Sequence, residues 1–137
     1  MHVFVFNTEK QILLQQRSLQ VDYYPGYFDA SVGAQVQSGE SYKVAALRET
    51  QEELGFTPKI LKFITNYNSY SERQKEKRSL YICSFNGKIN FDNQAISTIK
   101  WFSNSEINQA IQNKSLKLTG GFLLSWLEYQ KIELNNY

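Results

Sequence analysis

Between Gly33 and Phe56 the chain reads GAQVQSGESYKVAALRETQEELGF, and this stretch restricts the fold more than any other. Ser41 can cap a helix by accepting a hydrogen bond from an otherwise free N–H of the first turn. Gly55 can end that helix in the left-handed conformation that residues with a Cβ resist, and Pro58 just beyond it reinforces the stop. The spacing therefore predicts one helix from about Ser41 to Gly55. Val44, Leu47 and Leu54 fall on one side of it, with Glu49, Glu52 and Glu53 roughly opposite. A helix divided in this way docks its apolar side on a sheet and turns its acidic side to solvent or to a cleft. Ala45 lies on the acidic side and takes up little room there.

The acidic side has two readings. Like charges three and four residues apart disfavour a helix by roughly 0.2–0.5 kcal/mol per pair. A solvated, salt-bridged face tolerates that cost, and charge runs of this kind are common. Alternatively the cluster holds a cation. Hard divalent ions such as Mg²⁺ take carboxylate, water and phosphate oxygens, which points to chemistry on phosphates. Arg48 can pair with a neighbouring carboxylate and hold its rotamer.

Around this helix the sequence predicts a mixed α/β domain. Val3 to Phe6 and Ile12 to Gln16 read as strands joined by the turn Asn7 to Lys10. Tyr23 to Gly26 is a loop, and Phe28 to Val36 is extended with a bend at Gly33. Ile60 to Tyr70 and Ser79 to Phe85 are two further strands, separated by the polar segment Ser71 to Arg78. Ile99 to Phe102 is a short strand. Ile107, Ala110 and Ile111 have helical spacing, as do Phe122, Leu123, Trp126 and Leu127. Strands mixed with three helices suggest helices packed on a mixed sheet.

The 137 residues form one expected domain, 1–137, without repeats or linkers. A formal net charge of +2 gives no sign of a nucleic-acid polymer as partner. No segment reaches the ~18–20 apolar residues of a membrane helix, and no signal sequence is expected. The single cysteine, Cys83, rules out an intrachain disulfide and a Cys-based zinc site. A cytoplasmic location is expected.

The helix segment resembles the Nudix box, G-x5-E-x7-R-E-U-x-E-E-x-G-U, where U is a bulky apolar residue. Glu40, Arg48, Glu49, Glu52, Glu53, Gly55 and Phe56 are in register, seven of the nine specified positions. Ala34 stands at the first glycine, with Gly33 kept immediately before it, and Thr50 stands at the first apolar position. The likeness extends to FVFNTEKQILLQQRS at Phe4 to Ser18, to Tyr24-Pro25-Gly26-Tyr27-Phe28-Asp29, and to Lys100-Trp101-Phe102-Ser103 followed by Glu106. These stretches are similar to the Nudix branch related to isopentenyl-diphosphate isomerase. The resemblance implies a Nudix fold, an α/β/α sandwich around a mixed central sheet. Because the chain opens almost directly on its first strand, no N-terminal extension of the kind relatives use for association is expected. The oligomeric state is left open.

Isomerase chemistry in that branch uses a cysteine and several histidines. Here Gly33 and Gln35 occupy the aligned cysteine and histidine positions, and His2 is the one histidine in the chain. The resemblance implies instead a diphosphohydrolase acting on a small nucleoside diphosphate-linked molecule with Mg²⁺ or Mn²⁺. Glu52 and Glu53 are the expected metal ligands, with Glu49 third and the Gly33 carbonyl joining them. Glu52 or Glu49 would instead orient or deprotonate water. Arg48 would brace the carboxylates, while Glu40, Gly39 and Gly55 support the box. Relatives often carry a further glutamate before the Trp-bearing strand. Gln94-Ala95 occupies that place here, leaving Asp92, Glu72 or Glu76 to fill the role. A Nudix-fold nucleotide-binding or sensing module without turnover is the alternative.

Three residues are candidates for substrate contact: Arg17 at a strand end, and the aromatic rings of Tyr27 and Phe28. Strand-end solvation and loop or core packing are the competing readings for them. The cations between Ser71 and Arg78 either close over a phosphate-rich ligand or form a solvated loop.

Overall fold

The computed structural model describes residues 1–70 and 75–135. Its elements are β1 (His2–Phe6), β2 (Ile12–Arg17), β3 (Phe28–Asp29), β4 (Val32–Gly33), α1 (Tyr42–Leu54), β5 (Lys62–Tyr70), β6 (Lys75–Ser84), β7 (Ile96–Phe102), α2 (Asn104–Asn113) and α3 (Gly120–Asn135). One seven-stranded sheet runs β3-β2-β1-β6-β5, with β4 paired to β1 and β7 to β2. The β1–β6 pair is parallel and the other pairs are antiparallel.

Alternation along the strands sorts the core into two layers. Val3, Val5 and Leu13 face α1 and pack with Ala46, Leu54 and Phe56. Phe4, Ile12 and Leu14 face the other way, onto Ile107 of α2 and Phe122 and Trp126 of α3. The expected α/β/α sandwich around a mixed sheet is the observed architecture. Among the described residues, no helix is long and apolar enough to cross a membrane.

Several sequence expectations are corrected. The stretch Phe28 to Val36 is two short strands, and it leaves the sheet after Gly33. β7 begins at Ile96, three residues before the expected start. The expected loop Ser71 to Arg78 is strand from Lys75 onward, because Lys75 to Arg78 pair with Tyr70 to Tyr67 of β5. Its first four residues, 71–74, lie outside the described residues.

The α1 boundaries are as expected. Ser41 Oγ accepts from the Val44 N–H at 3.2 Å, and Gly55 closes the helix at φ 77°. The docking face differs. Val44 is 51% exposed, and α1 instead buries Ala45, Ala46, Thr50 and Leu54. Ala46, Thr50 and Leu54 form an i, i+4 row, and the small Ala45 and Ala46 bring the helix close to the sheet. Thr50, at a position where the box is apolar, is fully buried and donates its hydroxyl to Ala46 O at 2.7 Å.

The end of α1 also positions the next segment. Leu54 O accepts from Asn90 N–H at 3.2 Å, and Glu53 O accepts from Asp92 N–H at 3.0 Å. Those carbonyls would otherwise lack partners at a helix C-terminus. A Cβ at Gly55 would lie 2.6 Å from Asn90 O. Gly55→Ala is therefore expected to cost more than the ~1–2 kcal/mol of the left-handed conformation alone. A urea midpoint equal to wild type would mean that the Asn90–Asp92 segment is not locked to the helix.

Candidate active site

The acidic side of α1 faces a cleft of about 300 Å³ lined by Gln15, Arg17, Val21, Gly33, Glu49, Glu52, Glu53, Asp92 and Ala95. Each element contributes for a local reason. β2 alternation puts Gln15 and Arg17 on the α1 side, a register irregularity falls between Gln16 and Arg17, β4 supplies Gly33, and the α1 C-terminus tethers Asp92.

Arg48 organises the outer edge. Its Nε and Nη2 grip Glu40 as a fork, at 2.8 and 2.9 Å. Nη1 reaches Glu49 at 2.9 Å and Glu52 at 3.2 Å, and Nη2 also donates to Gln35 O at 3.2 Å. Glu40 accepts the Gln37 N–H as well, and Gly39, at φ 83°, makes the turn between them. The Arg48 hydrogen bonds, helped by the Gln37 N–H, hold the Glu40 carboxyl down at about 2. The same hydrogen bonds push Arg48 above its already high value.

Glu53 lies deeper. Gln15 Nε2 donates to its carboxylate at 2.9 Å and also to Ser31 O at 3.0 Å. Burial pushes the Glu53 pKa up to about 8; the Gln15 hydrogen bond opposes this, and the neighbouring Glu49 adds to it. A buried carboxyl beside a second acid is a place where a cation is favoured.

The donor chemistry fits a hard divalent ion: carboxylate oxygens beside the Gly33 backbone. Among the described residues, no three His, Cys, Asp or Glu side chains converge as a ready metal shell. Arg48 draws Glu49 and Glu52 to the rim while Gln15 holds Glu53 inside.

Ala34 has an ordinary negative φ, and its N–H and C=O both pair with Met1, at 3.0 and 2.9 Å. Alanine fits there without strain. Asp92 reaches the cleft, where its Oδ1 accepts the Gln94 N–H at 3.0 Å, and Ala95 lines the wall with no ionisable group. Glu76 lies in a neighbouring cleft, and Glu72 is outside the described residues.

The remaining candidates divide. Arg17 lines the cleft with its Nε on Tyr23 O at 2.9 Å. Tyr27 is half-buried, edge-on to Tyr24 and beneath the Lys117 ammonium. Phe28 is a correction: it pairs with Gln16, so it faces the α2–α3 layer, where it packs edge-on to Phe102. Burial pushes the Cys83 thiol up to about 12, which leaves it unreactive. His2 is buried on Ser125 Oγ at 2.8 Å and ties β1 to α3.

Sequence reasoning missed Gln15. Its signal was that it follows the apolar run Ile12 to Leu14 and shares the face of Leu13, so a polar side chain is carried onto the buried α1 side of the sheet.

The family model described as NUDIX domain matches residues 1–119, and the chain belongs to the Nudix hydrolase family. Enzymes of this family generally use divalent metals. The chain is 32% identical over 108 residues to an uncharacterised Nudix hydrolase of Yersinia pestis, covering 77% of this chain and 58% of that protein. It is 40% identical over 60 residues to one from Pseudomonas aeruginosa, covering 44% and 36%. The chain thus spans about a third to three-fifths of the length of the curated relatives it matches. A Deinococcus radiodurans crystal structure superposes with a TM-score of 0.80 at 24% identity, over 94% of this chain and 79% of that one. The Nudix domain of Shewanella oneidensis NrtR, complexed with ADP ribose, superposes at 0.72 with 17% identity, over 95% and 84%. At these identities the likeness is one of fold.

Proposed function

We propose that residues 1–137 act as one unit that hydrolyses a small diphosphate-linked molecule, of nucleoside diphosphate type, with Mg²⁺ or Mn²⁺. The observation that carries this reading is that Glu49, Glu52, Glu53, Arg17 and Gly33 line one cleft, with the Arg48–Glu40 fork at its rim. Ligand-bound NrtR, a neighbour of the same fold, supports a nucleotide-like ligand.

Glu52 and Glu53, with Glu49 and the Gly33 carbonyl, would hold the ion, which neutralises the diphosphate and acidifies bound water. Arg17 lines the cleft from β2, at its boundary with the neighbouring basic cleft. Water attacks one phosphorus and the bridging P–O bond breaks. The departing phosphate oxygen takes the bond's electron pair, and Glu52 or Glu49 takes the water's proton. The protein supplies position and charge. Isomerase chemistry has no residues at Gly33, Gln35 or elsewhere to support it. A buried, unpaired Cys83 is in keeping with a cytoplasmic site of action.

The test is release of phosphate or a monophosphate from a panel of diphosphate-linked metabolites, with and without Mg²⁺ or Mn²⁺. Metal-dependent release by wild type that vanishes in Glu52→Gln is expected. Full activity in Glu52→Gln would refute the site assignment. Silence across the panel with ligand-induced thermal stabilisation would favour a binding module, with Ala95 at the vacant acidic position as its cause.

A further inference from the structure

We propose that Arg17 and Arg78 form a site for an anionic group, phosphate or carboxylate, that the substrate carries apart from the diphosphate that reacts. This rests on the function proposed above and narrows its substrate class.

A second cleft, of about 550 Å³, adjoins the acidic one and shares Arg17 and Gly33 with it. The two halves differ in sign. The acidic half carries Glu49, Glu52, Glu53 and Asp92 against Arg17. The second half carries Arg17, Lys77 and Arg78 against Glu76. One ligand spanning both meets carboxylates at one end and guanidinium groups at the other.

Both arginines are held in place. Arg17 donates Nε to Tyr23 O at 2.9 Å, and Arg78 donates Nε to Ser69 Oγ at 2.8 Å. Their side chains are 28% and 31% exposed, so their stems are fixed while both line the cleft. Among the described residues, each also has one carboxylate within ion-pair distance. Asp29 is 3.8 Å from Arg17 Nη1, and Glu76 accepts from Arg78 Nη2 at 3.1 Å. Neither carboxylate takes a two-pronged grip like that of Glu40 on Arg48. A planar guanidinium held at Nε still offers outer N–H groups to a tetrahedral or planar anion. A ligand presenting a neutral group there would strip water from those donors without replacing its hydrogen bonds.

The sequence leaves Arg78 among cations that either close over a phosphate-rich ligand or form a solvated loop, and does not show which cleft it reaches. The parallel pairing of β1 with β6 and the β5–β6 ladder bring it to the cleft wall.

The experiment is titration calorimetry in EDTA at low ionic strength, so that turnover does not enter the readout. Two ligand pairs are compared: UDP-glucuronate against UDP-glucose, and NADP⁺ against NAD⁺. Each pair differs by one anionic group, a carboxylate in the first and a phosphate in the second. Wild type is expected to prefer the anionic member of one pair by about tenfold, the scale of a charge-assisted fork, and the pair that responds identifies the anion. The preference should fall to within twofold in Arg78→Gln with affinity for the neutral member unchanged, and Arg78→Lys should retain part of it. Circular dichroism melts confirm that both variants are folded. Equal binding within both pairs, no binding of any of the four, or an undiminished preference in Arg78→Gln would overturn the proposal. Wild-type hydrolysis without a preference removes this inference alone, whereas a preference without hydrolysis removes the catalytic reading and leaves the anion site standing.

Discussion

Glu53→Gln is expected to make the metal-free protein more stable while abolishing metal-dependent turnover. In the folded chain burial lifts the Glu53 carboxyl from an ordinary 4.5 to about 8. The unfolded chain therefore releases this proton at lower pH than the folded one. The sign follows: Glu53 does no harm below about 4.5, and stability is lost as pH rises from there to about 8. Glutamine has no proton to lose. Its Oε1 can still accept from Gln15 Nε2, and its amide can donate to Glu49 where protonated Glu53 does now. The gain should be small near pH 5 and grow to roughly 4 kcal/mol at pH 8. Chemical denaturation in EDTA at several pH values measures it. A difference that stays constant with pH would show that Glu53 ionises like an ordinary surface acid. Added Mg²⁺ should raise the stability of wild type toward that of the variant, because the ion supplies the charge partner that the metal-free site lacks. A side chain that weakens the fold until its ligand arrives is characteristic of a site shaped for function.

What could be read from the sequence was mostly local. Ser41 and Gly55 mark the ends of α1 because capping depends on neighbouring residues. The acidic positions followed from a spacing pattern within one helix. The docking face of α1 did not, because a helical wheel weights apolar size. The sheet selects the small Ala45 and Ala46 and leaves Val44 at the edge. Phe28 was misplaced for a related reason: its layer is set by pairing with Gln16, a contact invisible until β2 and β3 are aligned. Long-range pairings also delivered the residues that complete the clefts. Gln15 meets Glu53 across 38 residues of chain. Asp92 arrives by hydrogen bonding to the end of α1, and Arg78 by its strand's place in the sheet. The box named the chemistry, and the topology supplied the partners that give it a direction.

Arg48→Ala should show how far that chemistry depends on charge held at the rim. Four acids, Glu40, Glu49, Glu52 and Glu53, lie on or beside one face, and Arg48 contacts the first three. Removing it leaves like charges at helical spacing without a counterion. We expect a lower melting temperature in EDTA, with the deficit shrinking when Mg²⁺ is added because the ion takes over part of the neutralisation. Acid should shrink it too. Glu40 is held at about 2 by Arg48, so the stability this pair provides is present above the ordinary carboxylate range and is lost as pH falls toward 2. Turnover at saturating metal should drop by roughly 10–100-fold, the usual consequence of losing a group that orients metal ligands. Glu40→Gln is the control. If the two residues act as one fork, the double substitution costs little more than either alone. Effects that simply add would mean that Arg48 serves Glu49 and Glu52 directly and Glu40 only braces the loop. A deficit unchanged by Mg²⁺ would separate the Arg48 network from the metal site altogether.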